Sequence, residues 1–272
     1  MRIGFLDSGI GGLSVLYEAI KQLPLEDYIY YADTANVPYG NKSREQIKRY
    51  VFEAVGFMAQ KNIKALVVAC NTATSVAIQD IRRRYHFPII GMEPAVKPAV
   101  KFVNDKRVLV FATPLTLCES KFINLLNQVD TNHSVDYVPL QDLVVFAEAY
   151  QFDRSVITPY LRKKLKDYDL DRYGVVVLGC THFPFFENHI RSIFPKGTIL
   201  VDGSKGTVQN LKSMLMTLGK INNGNGSIEY YASGKRIIDS YPMERYLLLL
   251  QWIKSGASGK VSSTPSASTF CC

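Results

Sequence analysis

Two segments of the 272-residue chain carry the groups best suited to acid–base chemistry: ALVVACNTATS, containing Cys70, and GVVVLGCTHFP, containing Cys180. In each, an apolar run ends in a cysteine and continues through polar residues, Asn71-Thr72 in one and Thr181-His182 in the other. A thiol at the end of a strand and just before a helix sits where the helix N-terminus favours thiolate. Its pKa is expected to fall there from ~8.5 to ~7 or below. His182 could set the protonation state of Cys180. A single buried cysteine reads as a small apolar filler, but two in matching contexts imply two poised thiols facing one pocket. Moving a proton off one face of a carbon and onto the other takes two groups, one starting deprotonated and the other protonated. A Cys–His hydrolase needs only one thiol, so the pairing points to inversion at a stereocentre.

The elements that must position these thiols can be read from the hydrophobic pattern. Strands are expected at Ile3–Leu6, Tyr28–Ala32, Ala65–Ala69, Ile89–Gly91, Val108–Ala112, Val135–Val138, Val175–Leu178 and Thr198–Val201. Several are continuous Val/Ile/Leu runs, as in strands buried on both faces. Helical periodicity lies between them, near Leu13–Gln22, Thr74–Tyr85, Ala95–Val103, Leu117–Val129, Arg154–Lys166 and Gln209–Leu218. Ser43 and Gln46 have capping-box spacing ahead of an apolar stripe of Ile47, Tyr50, Val51, Ala54, Val55 and Met58. Repeated β-α-β units predict an α/β fold with mostly parallel sheets flanked by helices. The rhyme of the two cysteine segments predicts two similar lobes. One would comprise residues 1–93 plus 207–254, the other 94–206, with 255–272 a flexible Ser/Thr/Gly-rich tail.

Ligands in open α/β sheets bind beyond the carboxyl ends of the strands, and two further segments put polar groups there. In GFLDSGIGGLSVL, Asp7 and Ser8 end the first strand, and Gly9, Gly11 and Gly12 could bring backbone N–H groups to an anion at a helix N-terminus. Helix capping by Asp7 and Ser8 is the plainer reading. In YYADTANVPYG, the Pro38-Tyr39-Gly40 turn either closes a loop or presents an exposed tyrosine over a ligand. Cys118, in TLCESKF, reads as a packing residue. Cys70, Cys180 and His182 lack a convincing fourth ligand for a metal, and none is expected.

Composition bounds the class. An apolar fraction of 47% and a charged fraction of 21% belong to a globular chain, and no stretch approaches the ~20 apolar residues of a membrane span. The formal charge of +8 is carried by amphipathic helices such as IRRRYH and LRKKLKDYDLDR, which read as solvated faces and not as a nucleic-acid site. Five scattered cysteines without C-x-x-C spacing give neither a disulfide framework nor a structural zinc site. A cytoplasmic location is expected.

Taken in order, DSGIGGLSVL, ADTANVPYG, ACNTATS and GCTHFP resemble the glutamate racemases of the aspartate/glutamate racemase superfamily, from Ile3 to about Trp252. The resemblance implies two α/β lobes with the active site in the cleft between them, no cofactor, glutamate as substrate, a homodimer, and a role supplying D-glutamate for bacterial peptidoglycan. It implies that Cys70 and Cys180 exchange base and acid roles at Cα, Cys70 acting on the D-enantiomer and Cys180 on the L-enantiomer. Asp7 would assist Cys70, and His182 would assist Cys180, with Glu148 a further carboxylate on the Cys180 side. Asp7, Ser8, Tyr39, Gly40, Asn71, Thr72, Thr181 and His182 would contact the amino acid. Thr113 and Thr116, in FATPLTLCES, match a degenerate version of a segment that helps bind a substrate carboxylate. Asn36 stands where an arginine is common. Aspartate is the competing substrate within this reading. A Cys–His amidase or other acyl-transfer enzyme using Cys180 and His182, and a noncatalytic polyanion-binding protein, are the readings outside it.

Overall fold

The computed structural model describes residues 1–102 and 105–256. Cys271, Cys272 and all but the first two residues of the expected tail lie outside them. Ten strands form two sheets. They are β1 (Arg2–Asp7), β2 (Tyr28–Ala32), β3 (Ile63–Val68), β4 (Ile89–Gly91), β5 (Arg107–Ala112), β6 (Val135–Pro139), β7 (Tyr173–Leu178), β8 (Ile199–Asp202), β9 (Ile228–Ala232) and β10 (Lys235–Arg236). The helices are α1 (Leu13–Gln22), α2 (Arg44–Gln60), α3 (Asn71–Arg84), α4 (Val96–Ala99), α5 (Pro114–Cys118), α6 (Ser120–Val129), α7 (Asp142–Glu148), α8 (Arg154–Lys164), α9 (Glu187–Arg191), α10 (Ser204–Thr217) and α11 (Tyr241–Lys254).

The first sheet runs β10-β9-β2-β1-β3-β4 and the second β6-β5-β7-β8, parallel throughout except for the β9–β10 hairpin. The two cysteine-bearing strands, β3 and β7, pair with β1 and β5 respectively. Each is the inner neighbour of an edge strand, and Cys70 and Cys180 lie just past the carboxyl ends. That equivalence of place is the structural content of the rhyme between the two segments.

Alternation along the strands divides the core into three. Phe5, Val67, Leu109, Phe111, Val176 and Leu178 belong to one continuous cluster that joins the two sheets. The residues beside them face the other way: Leu6, Leu66 and Val68 pack under α2 and α3, while Val108, Val110, Val175 and Val177 pack under α4 and α6. Strands buried on both faces explain the unbroken apolar runs.

Local sequence accounts for the helix that frames the site. Ser43 Oγ accepts from the Gln46 N–H and Gln46 Oε1 accepts from the Ser43 N–H, the expected reciprocal cap of α2. Arg44, in the first turn of α2, makes an ion pair with Glu119, which is buried between α5 and α6. The pair ties the two halves of the structure together beside the site. Glu119 also explains why the expected Leu117–Val129 helix is two helices: its backbone is extended and takes the chain round a corner. Cys118, at that corner, is exposed rather than packed.

The basic runs end helices. Arg82, Arg83 and Arg84 form the last turn of α3, and Arg162, Lys163 and Lys164 that of α8. There they face solvent and complement the negative end of the helix dipole. Among the described residues no helix is long and apolar enough to cross a membrane.

Candidate active site

Asp7 is the last residue of β1 and is fully buried. It does not cap α1, whose N-terminus has no side-chain cap. Its Oδ1 accepts from the Gly9 N–H at 3.0 Å and its Oδ2 from the Thr181 hydroxyl at 3.1 Å. Burial raises its pKa to about 6, against the opposing pull of His182, the Gly9 N–H and Thr181; the Glu148 charge adds to the rise.

Cys70 is the N-cap of α3, which starts three residues earlier than its apolar periodicity suggests. Sγ accepts from the Ala73 N–H at 3.4 Å and donates to Ser8 Oγ at 3.8 Å. The expected lowering of this thiol is nevertheless reversed: burial pushes its pKa well up, and the neighbouring Asp7 charge adds to the rise. The Ala73 N–H and Ser8 pull the other way but do not offset the loss of solvent. The shift favours the thiol form of Cys70.

Cys180 follows β7, but a 3-10 turn at Phe183–Phe186 stands where an α-helix start was expected. Its neighbour in charge is therefore a side chain. His182 Nδ1 lies 3.6 Å from Cys180 Sγ, and His182 Nε2 lies 2.7 Å from Glu148 Oε1. Burial by itself would lower the imidazole pKa. Its hydrogen bonds to Cys180 and Glu148, and their charges, outweigh that and lift it well above the usual 6.5. Glu148, the last residue of α7, is fixed by a second bond from the Ile10 N–H at 2.8 Å.

The opposite wall is made of neutral donors. The hydroxyls of Thr72, Thr113 and Thr116 form a triangle with sides of 2.9–3.2 Å. Asn71 opens α3 and gives its Nδ2 to Met92 O at 3.4 Å, leaving Oδ1 unpartnered. Tyr39 is buried rather than exposed, because Asp33 takes its hydroxyl at 2.7 Å and also binds Asn36 and Ser233.

Ser8, Tyr39, Gly40, Cys70, Asn71, Thr72, Thr113, Cys180, Thr181 and His182 line one pocket of about 250 Å³. The two cysteines thus open into the same cavity. Asp7, Glu148 and Thr116 do not line it; they stand behind Thr181, behind His182 and behind the other two threonines. Sequence reasoning missed Pro38, Gln141 and Val144. Gln141 lies two residues past the end of β6, so the strand-end rule applied to that strand would have found it. A larger hollow, about 1210 Å³ beside Arg107 and Asp130, contains no cysteine or histidine.

The glycines of DSGIGG leave room for side chains that come from far along the chain. A Cβ on Gly11 would fall within contact distance of His182 Nδ1 and Thr181 Oγ1, and one on Gly9 would overlap the Glu148 carboxylate. The loop is bare of side chains where Thr181 and His182, just past β7, and Glu148, at the end of α7, pack across it. Among the described residues no cluster of three or more His, Cys, Asp or Glu is arranged to hold a metal.

Two thiols lining one pocket, one backed by a histidine–glutamate pair and the other beside a buried aspartate, suit proton transfer at a single carbon. Residues 13–211 match the family model described as Asp/Glu/Hydantoin racemase. The chain is 52% identical over 253 residues to glutamate racemase 2 of Bacillus subtilis (strain 168), covering 92% of this chain and 96% of that one. It is 51% identical over 255 residues to a glutamate racemase of Halothermothrix orenii, covering 93% and 100%. Its fold is similar to the crystal structure of glutamate racemase isoform RacE1 from Bacillus anthracis, with a TM-score of 0.78, 29% identity and 90% and 93% coverage. The chain belongs to the Asp/Glu/hydantoin racemase family and, within it, to the glutamate racemases.

Proposed function

We propose that the chain interconverts L- and D-glutamate without a cofactor, passing the Cα proton between Cys70 and Cys180. The observation that carries the reading is the shared pocket of the two thiols, with the His182–Glu148 pair beside one and Asp7 buried beside the other. From L-glutamate, the Cys180 thiolate takes the Cα proton and the Cys70 thiol delivers its own to the opposite face. D-glutamate leaves with Cys180 as thiol and Cys70 as thiolate, and the reverse reaction uses the same groups with roles exchanged. The negative charge that develops on the α-carboxylate is met by the Ser8 hydroxyl, by the second N–H of Asn71 Nδ2 and by the N–H groups at the start of α3. The lobes close over the amino acid and exclude water. Supply of D-glutamate for peptidoglycan, a cytoplasmic location and a homodimeric state follow from the family resemblance.

The test is racemisation of L-glutamate in deuterated water, followed by circular dichroism and mass spectrometry. The expected product is D-glutamate with deuterium at Cα, and its formation is lost in Cys70→Ala and Cys180→Ala alike. Unlabelled product, near-normal turnover in Cys70→Ala, or a thioester trapped on Cys180 would overturn the proposal.

A further inference from the structure

Gln141 is the one pocket-lining residue whose entire polar end is idle. Neither its Nε2 nor its Oε1 has a hydrogen-bond partner, and both are sealed from solvent. Burying a primary amide unpaired is costly, and a structural glutamine would be bonded to the backbone around it. The amide lies directly over Gly40, where any Cβ would collide with Oε1 and Cδ, and beside Thr113. Gly40 is thereby the floor on which this side chain rests, and Thr72, Thr113 and Thr116 adjoin it.

The pocket contains no lysine or arginine. Apart from His182, which is occupied by Cys180 and Glu148, every donor available to a dicarboxylic acid is neutral. Four carboxylate oxygens then need several N–H and O–H groups, and the hydroxyls of the threonine triangle already spend protons on one another. Gln141 offers two further N–H donors with nothing else to bind.

We infer that Gln141 is a substrate ligand whose Nε2 amide donates to a carboxylate of the amino acid. The inference rests on the racemase reading above and adds a residue to it. It also gives α7 two ends with two uses. Gln141 precedes its first turn and grips the substrate, while Glu148 closes its last turn and holds His182.

The experiment measures steady-state racemisation of L- and D-glutamate by wild type, Gln141→Ala and the near-isosteric Gln141→Glu, each checked by thermal unfolding. For Gln141→Ala, KM is expected to rise about 10- to 100-fold, the worth of a hydrogen bond to a charged group, with kcat changed less than threefold. Gln141→Glu is expected to raise KM further, since a carboxylate then faces a carboxylate. A structural role would leave KM alone or move kcat and the unfolding temperature together. KM within twofold of wild type in either folded variant overturns the inference, as does a Gln141→Glu enzyme that binds glutamate better than Gln141→Ala. Wild type that does not racemise glutamate at all refutes instead the racemase reading beneath it.

Discussion

Asp7 should make the protein less stable at neutral pH than it would be without that charge. Its carboxyl is fully buried and its pKa is displaced from 3.8 to about 6, chiefly by burial. A carboxyl whose folded value lies above its unfolded one holds an extra proton in the folded state between the two. Stability therefore falls as pH rises through that window, and the loss is complete above pH 6. At 1.36 kcal/mol per pKa unit the full loss is about 3 kcal/mol, roughly half of it incurred by pH 5. Asp7→Asn removes the charge and keeps the shape: Asn Oδ1 can accept from the Gly9 N–H, and the Thr181 hydroxyl can turn to accept from Nδ2. Urea unfolding of wild type and Asp7→Asn from pH 4 to pH 8 should show near-equal stabilities at the acid end. The variant should lead by about 3 kcal/mol at pH 7, or on the order of 5–10 °C in Tm. Racemisation should fall by roughly 10²–10⁴-fold in the same variant. A stability difference that stays flat across this range would refute the argument that the buried charge of Asp7 is retained at the expense of the fold.

Three other perturbations test other parts of the reasoning. Gly11→Ala places a methyl group against His182 Nδ1 and Thr181 Oγ1; kcat should drop at least tenfold with the fold retained, and unaltered turnover would show that the loop has slack. Glu148→Gln removes one of the charges that lift the His182 pKa, so the alkaline limb of the kcat–pH profile should move to lower pH; an unmoved limb would detach His182 from that limb. Lys64→Met leaves Glu26, 1% exposed, facing no cation where Lys64 Nζ now approaches it to 2.6 Å. Unfolding in urea should show a loss of about 3–5 kcal/mol, much of it recovered in Lys64→Met/Glu26→Leu, whereas equal losses in single and double variants would contradict the pairing.

What could be read from sequence was whatever depends on a short window. Short apolar β-rich runs, several of them continuous in Val, Ile and Leu, located eight of the ten described strands, and the capping box of Ser43 and Gln46 fixed the start of α2. The strand-end rule and the family resemblance together named ten of the thirteen residues lining the pocket. What escaped depends on groups distant in the chain. β9 and α11 lie in a polar, glycine-containing stretch and an almost uniformly apolar one, and β9 is defined by its partner β2 rather than by its own pattern. Tyr39 looked exposed because its turn is polar, yet Asp33 draws its hydroxyl inward. The room that the glycines of DSGIGG leave was not legible, because the side chains that need it, Thr181 and His182 past β7 and Glu148 at the end of α7, are distant in the chain. The sign of the Cys70 shift is of the same kind: the helix N-terminus is visible in sequence, whereas the desolvation that outweighs it is a property of the closed pocket.

That shift has a consequence for how a symmetric-looking site begins its cycle. Two-base proton transfer needs one sulfur protonated and the other not, and two equivalent thiols would spend most of their time in unproductive states. The surroundings here break the equivalence. Burial and the Asp7 charge raise the pKa of Cys70, while the hydrogen bonds and charges of Cys180 and Glu148 raise that of His182 beside Cys180. On the proposed mechanism these shifts favour Cys70 as the acid, the arrangement needed for a substrate whose proton faces Cys180. Starting from the other enantiomer requires Cys70 to lose its proton first, and nothing in its own surroundings favours that loss more than Asp7 becoming protonated. With a pKa of about 6, Asp7 lies far closer than a free carboxyl to accepting that proton. On the proposed mechanism its burial, destabilising for the fold, supplies the proton acceptor that the second direction of the reaction needs.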